Sequence, residues 1–261
     1  MNKKFRLLDV VVREFIEYLI RFVRRPKVKS NESQSYIKEI ESQGYALIPS
    51  YFSQEKCKHL RTIIDDLIDS SETNVLRDDL GADSRIYFCE SLNESFKEFY
   101  SDPFIREMLY MYTGIKEPVG MLLAARILPV AGNMGSGGGW HRDSPVTQQF
   151  KAIVYLNDVS TSNGPFQYIK ESHLKKKTIL AYFKNIFRPK QYRFSESDIN
   201  AYNKAFSTKI TELTGNAGDL IFADTKGLHT GKPIKEGVRY ALFCYFWDKS
   251  IPEHFEKLKQ K

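Results

Sequence analysis

Cysteine is scarce in this 261-residue chain: Cys57, Cys89 and Cys244 are odd in number, far apart in sequence and free of any Cys-x-x-Cys pair. Such a set argues against a disulfide-stabilised secreted fold and favours a reducing cytoplasm. Long apolar runs are also missing, since no stretch approaches the roughly 18 residues that a membrane-spanning helix needs. The chain has no internal repeats and no low-complexity tracts, which is typical of an ordinary globular fold.

What the chain has in quantity is apolar and aromatic surface, at 42% hydrophobic and 13% aromatic residues. This composition is that of a folded globular protein, and the length is enough for one substantial core. The formal net charge of +7 favours acidic partners without identifying one. Nucleic acid is the weakest candidate, because the basic residues match no nucleic-acid-binding motif.

The amino-terminal segment, residues 1–30, is predicted to form a basic amphipathic helix followed by a linker. Within residues 3–25 the apolar residues recur at helical spacing between basic ones, and Asp9, Arg13 and Glu14 interrupt the apolar run that a signal peptide would need. Amphipathic helices mostly bury their apolar stripe, so packing on the domain or on a second copy of the chain is the first expectation. Peripheral contact of residues 3–25 with an anionic membrane surface is the alternative.

Residues 31–261 are predicted to form a single α+β domain, with helices in the first half and strands in the second. Helices are expected over residues 35–43, 53–70, 93–100 and 103–113, and a short extended segment is expected over residues 44–49. From Pro118 onward the apolar segments are short and bounded by turns, over 119–130, 150–157, 165–169, 209–214, 218–222 and 238–247. Strands in this order, without helical crossovers between them, indicate an antiparallel sandwich or barrel.

A basic and aromatic insertion at about 173–208 interrupts the strands. Residues 174–194 contain seven lysines and arginines, including Lys175, Lys176 and Lys177, interleaved with five tyrosines and phenylalanines. An insertion of this length within a barrel is usually functional or mobile. Two interpretations are equally open: a solvated helical excursion that covers a sheet edge, or a cationic lid over an acidic substrate.

The motif Trp140-His141-Arg142-Asp143 contains a histidine and a carboxylate separated by one residue, so both side chains can point to the same side of a strand or turn. A distant histidine would complete three ligands on one face of a metal, and His173 and His229 are the two candidates. Two imidazoles and one carboxylate, with the opposite face open, form the arrangement of non-haem Fe(II) oxygenases. The sequence therefore predicts a redox-active iron site.

Arg239 follows His229 by ten residues, at the start of the predicted strand 238–247. An arginine in a barrel interior needs an anion, and a carboxylate held by two parallel hydrogen bonds is its natural partner. Together these residues predict one pocket with a metal at one end and a bound carboxylate at the other.

Over roughly residues 37–248 the chain resembles the phytanoyl-CoA dioxygenase family of Fe(II)- and 2-oxoglutarate-dependent oxygenases. The resemblance is carried by residues 44–49, 140–143, 163–166 and 172–173 together with His229 and Arg239. It implies a double-stranded β-helix, a jelly-roll barrel with the metal site at one mouth. It also implies that His141, Asp143 and His229 ligate Fe²⁺, that Arg239 binds the distal carboxylate of 2-oxoglutarate, and that O₂ is the second co-substrate.

The site departs from the family pattern in one position. Many relatives place Ser or Thr two residues after the distal histidine to help hold the co-substrate, whereas this chain has Gly231 there, preceded by Thr230. Thr230 is the candidate replacement. Arg126, on the strand before the glycine-rich turn 135–139, is a second candidate co-substrate residue, with a plain surface charge as the alternative.

Because Asp143 is present where related halogenases have Gly or Ala, the resemblance implies hydroxylation. The basic insertion and the basic amino-terminal helix suggest an anionic small-molecule substrate, lipid-linked or a glycan precursor. A catalytically silent jelly-roll module that binds anionic lipid or polysaccharide is the alternative. The protein is expected in the cytoplasm, either free or peripheral at the inner face of a membrane.

Overall fold

The computed structural model describes residues 3–26, 31–144 and 149–260. Helices dominate the first part of the chain, as expected: α1 Lys3–Arg24, α2 Asn31–Gln43, α3 Gln54–Asp69, α4 Glu94–Tyr100 and α5 Pro103–Thr113. The predicted cap of α3 is confirmed, because the Ser53 hydroxyl accepts a hydrogen bond from the backbone N–H of Lys56. Gly114 ends α5 in the left-handed conformation that glycine adopts without steric cost.

The strands form two antiparallel sheets. The strands are β1 Tyr45–Ile48, β2 Val75–Arg77, β3 Asp83–Tyr87, β4 Val119–Ile127, β5 Phe150–Tyr155, β6 Phe166–Ile169, β7 Ile210–Leu213, β8 Leu220–Asp224, β9 His229–Gly231 and β10 Arg239–Trp247. The seven-stranded sheet has the order β1-β8-β5-β10-β4-β3-β2, and the three-stranded sheet has the order β7-β6-β9. This pair of facing sheets is the predicted α+β jelly-roll architecture.

The two faces of the large sheet bury different partners, and strand alternation decides which residue goes where. On β4, Leu122 and Ala124 belong to the apolar cluster formed with the helices, whereas Leu123 and Ala125 belong to the cluster between the two sheets. Tyr155 ties the sheets together, because its hydroxyl donates to Leu213 O at 2.8 Å and accepts from Phe166 N at 2.9 Å. The space between the sheets is therefore the interior of the barrel.

The inserted segment 173–208 contains two further helices, α6 Lys175–Phe183 and α7 Glu196–Phe206, and α8 Glu253–Glu256 lies near the carboxyl end. The insertion is packed and not merely solvated: Tyr182, Phe187 and Tyr202 are buried with Trp140 in an apolar cluster of their own. The insertion contacts the barrel mouth through residues 192–194, which form backbone hydrogen bonds with residues 140–142.

Strands β2, β3 and β9 were not predicted from the sequence. Strand β3 reads Asp-Ser-Arg-Ile-Tyr, and β9 has only three residues, so neither contains the apolar alternation that marks a strand. Helix α2 also begins at Asn31, earlier than the predicted residue 35. None of the described helices is long and apolar enough to cross a bilayer.

Candidate metal and co-substrate site

Backbone pairing brings the two parts of the predicted metal site together. The backbone N–H of His141 donates to His229 O and the N–H of His229 donates to His141 O, both at 2.9 Å, which makes the two histidines direct cross-strand neighbours. Two residues later, Asp143 N donates to Thr225 O at 2.8 Å. Because alternate residues of an extended segment point to the same side, His141 and Asp143 face the same space as His229.

The three side chains converge closely enough to hold one ion. One ligand atom from each of His141, Asp143 and His229 lies within 4.8 Å of the others. Asp143 Oδ1 is 3.7 Å from Nε2 of His141 and 3.7 Å from Nε2 of His229. The structure thus selects His229 over His173 as the third member of the group.

Both imidazoles present the nitrogen that a metal requires. His141 Nδ1 lies 2.8 Å from Gly139 O, and His229 Nδ1 lies 2.9 Å from Gly227 O. A carbonyl accepts only from a protonated Nδ1, so each neutral ring keeps an unprotonated Nε2 toward the group. The buried Nε2 of His229 has no hydrogen-bond partner among the described residues, as expected for an atom that a metal would satisfy.

The electrostatics keep this group in its ligating protonation state. Burial lowers the pKa of His141, and burial followed by the neighbouring His141 lowers the pKa of His229 further. Burial alone would raise the pKa of Asp143, but the charge of Lys151 and the two imidazoles outweigh it and hold that pKa below its usual value. Neutral histidines and an ionised carboxylate are the forms that bind a divalent metal.

Arg239 lies at the far end of the same pocket. Strand alternation on β10 turns Arg239, Ala241 and Phe243 toward the barrel interior, where Arg239 is only 2% exposed. Its Nε has no hydrogen-bond partner among the described residues, and burial lowers the pKa of the guanidinium. A buried cation in this state calls for an anionic ligand, as the sequence analysis expected.

Two further cations line the pocket, and neither was predicted. Lys151 Nζ on β5 lies 2.7 Å from Asp143 Oδ2 and 4.1 Å from the centre of the Tyr245 ring. Arg85 on β3 pairs with Asp83 Oδ2 at 2.5 Å and donates to Ser136 Oγ at 3.2 Å. The one available signal for Lys151 was a lysine inside the otherwise apolar strand Phe-Lys-Ala-Ile-Val-Tyr.

The glycine-rich turn 135–139 accounts for the missing hydroxyl at Gly231. A side chain at Gly231 would bring its Cβ to 2.7 Å from Ser136 Cβ and 2.9 Å from Ser136 N, so only glycine fits beside this turn. Ser136 lines the pocket in consequence. Gly137, at a φ of +88°, is equally restricted, because a Cβ there would run into the ring of His141.

Three other residues singled out in the sequence lie away from this pocket. Arg126 faces α3 on the opposite side of the sheet, where its Nη1 bonds Asp65 Oδ1 at 2.8 Å, so it is not a pocket residue. Thr230 alternates outward from His229, and its hydroxyl donates to the backbone O of Gly231 at 3.2 Å. The ring of His173 lies near Glu41 O, remote from the metal-binding group.

A groove at the barrel mouth leads to the metal-binding group. Its walls are the insertion, through Tyr192 and Arg193, and strand β10 with α8, through Tyr245, Trp247 and Phe255. Arg193 donates to the carbonyls of Gly137 and Gly138, and it remains exposed. The lysines of the insertion are placed differently: Lys175 bonds Glu14 O on α1, and Lys177 pairs with Glu171.

Comparison with known proteins agrees with this geometry. The family model described as Phytanoyl-CoA dioxygenase (PhyH) matches residues 40–237. No curated protein sequence matches the chain.

Solved structures share the fold at low sequence identity. The carbocyclase SnoK from nogalamycin biosynthesis, α-ketoglutarate dependent and non-haem, superposes with a TM-score of 0.64 at 14% identity, over 89% of this chain and 92% of its own. HygX from Streptomyces hygroscopicus, with nickel, 2-oxoglutarate and hygromycin B bound, has a TM-score of 0.59 at 13% identity, over 86% and 90% of the chains. EctD from S. alaskensis, with bound Fe, has a TM-score of 0.61 at 14% identity, over 84% and 76%.

The family model covers most of the chain, including the metal-binding histidine–aspartate pair, the distal histidine and the strands between them. The chain belongs to the phytanoyl-CoA dioxygenase family of Fe(II)- and 2-oxoglutarate-dependent oxygenases.

Proposed function

We propose that this protein hydroxylates a small anionic substrate, with His141, Asp143 and His229 as the Fe²⁺ ligands and Arg239 as the anchor for 2-oxoglutarate. The observation that carries the proposal is the convergence of three ligand atoms within 4.8 Å at one end of a pocket whose other end holds a buried arginine. When bound, Fe²⁺ and 2-oxoglutarate supply the oxidising power, with O₂ reduced as the co-substrate is decarboxylated to succinate. An intact carboxylate ligand favours hydroxylation over halogenation.

The protein's own groups prepare the site for this chemistry. Backbone carbonyls of Gly139 and Gly227 hold the rings of His141 and His229 in the ligating tautomer. Lys151 forms an ion pair with Oδ2 of Asp143. The other carboxylate oxygen, Oδ1, lies near both imidazoles and remains available to the metal. The cost of burying both charges is offset because they neutralise each other.

At the co-substrate end, a dicarboxylate would meet groups of the right charge. The Arg239 guanidinium offers two parallel N–H donors for one carboxylate, while the Ser136 hydroxyl and Arg85 line the same wall. The apolar side chains of Leu123, Ile153 and Phe166 also line the pocket, so a bound co-substrate would displace most of the water from it.

The mouth groove supports the proposed substrate class. Exposed Arg193 supplies a cation near the metal ligands, and the rings of Tyr192, Trp247 and Phe255 offer flat apolar surfaces for a ring or sugar face. A lipid-linked molecule or a glycan precursor with a phosphate or carboxylate meets both requirements. HygX was solved with hygromycin B bound, and the epimerase SnoN, another solved structure with this fold, was solved with nogalamycin RO bound. Both support a small-molecule substrate.

The proposal includes a cytoplasmic setting, with the protein either free or peripheral at the inner face of a membrane. Three cysteine thiols, all buried and free, are in keeping with a reducing compartment.

The test is a spectroscopic titration joined to a product assay. Anaerobic addition of Fe²⁺ and 2-oxoglutarate to the full chain should give a weak visible metal-to-ligand band that His141→Ala abolishes. Succinate release would then be screened across nucleotide sugars, lipid-linked sugars and acyl thioesters, with Arg193→Gln weakening apparent affinity for anionic substrates. Absence of both the band and succinate would reject the enzyme and favour a binding module.

A further inference from the structure

Helix α1 packs on the domain through its charged face. From residue 8 onward, the buried side chains of this helix are Val10, which is fully buried, and Glu14, which is 1% exposed. Large apolar side chains on the other side lie open to solvent, at Leu8, Val12, Phe15, Ile16, Tyr18, Leu19, Ile20, Phe22 and Val23. The expectation that the apolar stripe packs on the domain is therefore wrong.

Ion pairs and hydrogen bonds hold α1 in this orientation. Glu14 accepts from Lys226 Nζ at 2.5 Å, and Lys175 Nζ donates to Glu14 O at 2.7 Å. Near the helix ends, Lys190 pairs with Asp9 at 2.9 Å and Arg24 pairs with Asp248 at 3.0 Å. Because Asp9, Glu14 and Arg24 hold α1 against the domain, its apolar face is left for an external partner.

Behind this helix lies a cavity with an excess of positive charge. Two acidic residues, Glu41 and Asp224, line it. The basic lining residues are more numerous: Arg21, Arg25, Lys38, Lys175 and Lys226. Glu41 is already paired with Arg25, and Asp224 already accepts from the Tyr112 hydroxyl.

One buried N–H donor in this cavity wall lacks a partner. Nε of Arg21 has no hydrogen-bond partner among the described residues. Burial, and then the charge of Lys226, lowers the pKa of Lys175 to about 8. An anion entering the cavity would accept a hydrogen bond from Nε of Arg21 and would also relieve the repulsion between the neighbouring cations.

We propose that α1 docks the enzyme on an anionic bilayer surface, with its apolar face in the headgroup–acyl boundary and a lipid phosphate in the cationic cavity behind it. The cavity adjoins the apolar face, because Tyr18 and Phe22 belong to both. An amphipathic basic helix in this orientation lies in the plane of the interface.

Charge decides between a bilayer and a second copy of the chain as the partner. Helix α1 contains six basic and three acidic residues, and the side chains of Arg13 and Arg24 stay 60% and 47% exposed beside its apolar face, so two copies would bring like-charged helices together. Anionic lipid headgroups complement this charge, and each lysine or arginine near such a surface contributes about 1 kcal/mol of attraction. This inference does not depend on the proposed catalytic activity.

The test is flotation of the full chain with vesicles of phosphatidylcholine alone, with added phosphatidylglycerol, or with added phosphatidic acid. We expect flotation only with the anionic vesicles and loss of binding in high salt. The double variant Phe15→Ser/Phe22→Ser, which alters only exposed side chains, should weaken binding at least tenfold. The matched control is Leu76→Ser/Met134→Ser, at exposed apolar positions away from α1, and it should bind as the unaltered chain does.

The cavity is tested separately with Arg21→Gln/Lys38→Gln, and Lys58→Gln, an exposed lysine on α3, serves as the charge control. The cavity variant should lose a preference for phosphatidic acid over phosphatidylglycerol that the control keeps. Equal flotation of the Phe15→Ser/Phe22→Ser variant overturns the proposal, as does a chain that binds soluble glycerol phosphate but no vesicle. A dimer in sedimentation that those same two substitutions dissociate, without flotation, would assign the face to a second copy instead.

Discussion

At the scale of single residues, the least expected feature of the site is a lysine beside the metal-binding carboxylate. We predict that Lys151→Met lowers affinity for Fe²⁺ or Mn²⁺ by roughly 10–100-fold, the usual effect of removing a group that orients a metal ligand. Without its 2.7 Å partner, Asp143 is free to rotate and loses its neutralising charge. Anaerobic calorimetric titration measures this, and Lys151→Arg should recover most of the affinity. Unchanged metal affinity in Lys151→Met would mean that Lys151 only fills space.

We propose that Ser136, which lines the pocket beside Gly231, replaces the hydroxyl that many relatives place two residues after the distal histidine. Ser136→Ala should raise the KM for 2-oxoglutarate about 2–10-fold, the effect of losing one hydrogen bond of roughly 0.5–1.5 kcal/mol. Metal affinity should be unaffected. Thr230→Val is the matched control, because the Thr230 hydroxyl bonds Gly231 O and does not line the pocket. A larger effect from Thr230→Val than from Ser136→Ala would contradict this assignment.

The two arginines proposed from the sequence make a clean comparison. Arg239→Gln should raise the KM for 2-oxoglutarate at least about 30-fold, since losing one partner of a buried charged contact costs roughly 2 kcal/mol or more. Arg126→Gln should leave that KM unchanged, because Arg126 pairs with Asp65 behind the sheet. Steady-state succinate release with varied 2-oxoglutarate distinguishes them. Equal effects of the two substitutions would refute the proposed role of Arg239.

The site residues that could be predicted from the sequence are those that belong to recognisable motifs. His141, Asp143, His229 and Arg239 have fixed relative positions within short motifs, and the structure brings the four together. Lys151, Arg85 and Ser136 come from three other segments. They reach the pocket through the pairing of β5 with β10, the pairing of β3 with β4, and the packing of the glycine-rich turn on β9. Their roles depend on tertiary proximity, which no local pattern contains.

At the scale of elements, the long apolar segments were predictable and the short polar ones were not. Strands β4, β5 and β10 have runs of apolar side chains because both of their faces are covered, by helices on one side and by the second sheet on the other. Strand β3 lies next to the edge strand of the sheet, and two of its five residues are the charged, paired Asp83 and Arg85. It therefore lacks an apolar run. The orientation of α1 was also beyond local inference, since a periodic apolar stripe does not say which face the domain occupies.

One side chain joins elements of the two sheets, and its removal should be costly. Tyr155→Phe should lower the free energy of unfolding by about 1–3 kcal/mol, because Leu213 O and Phe166 N both lose their partner in a buried environment. Denaturant titration followed by circular dichroism measures the change. Tyr240→Phe is the control: its hydroxyl bonds the partly exposed Asp65, so water can replace it and the loss should be smaller. An equal loss in both variants would argue against Tyr155 as a tie between the sheets.

At the scale of the whole molecule, the architecture separates two demands on one chain. The helical layer and the outer face of the large sheet form the main core, while the space between the sheets holds a second apolar cluster and the pocket lined by Lys151 and Arg239. Of the buried polar groups there, Lys151 is compensated by Asp143, whereas Nε of Arg239 and Nε2 of the neutral His229 have no partner among the described residues. Folding therefore leaves an electrostatic cost in the barrel that ligands can remove.

That cost leads to a prediction about the stability of the entire domain. Saturating Fe²⁺ under anaerobic conditions, at about 100 times its Kd, should stabilise the protein by roughly 2.7 kcal/mol, and 2-oxoglutarate should add to this. For a chain of this size each kcal/mol corresponds to a Tm increase of about 2–4 °C, so the metal alone should raise Tm by roughly 5–10 °C. Differential scanning calorimetry of the full chain measures both increments. His229→Ala should lose the metal increment, whereas Arg239→Gln should keep it and lose only the increment from 2-oxoglutarate. If Arg239→Gln retained the full effect of 2-oxoglutarate, the co-substrate would have to bind elsewhere, and the two ends of the pocket would not belong to one site.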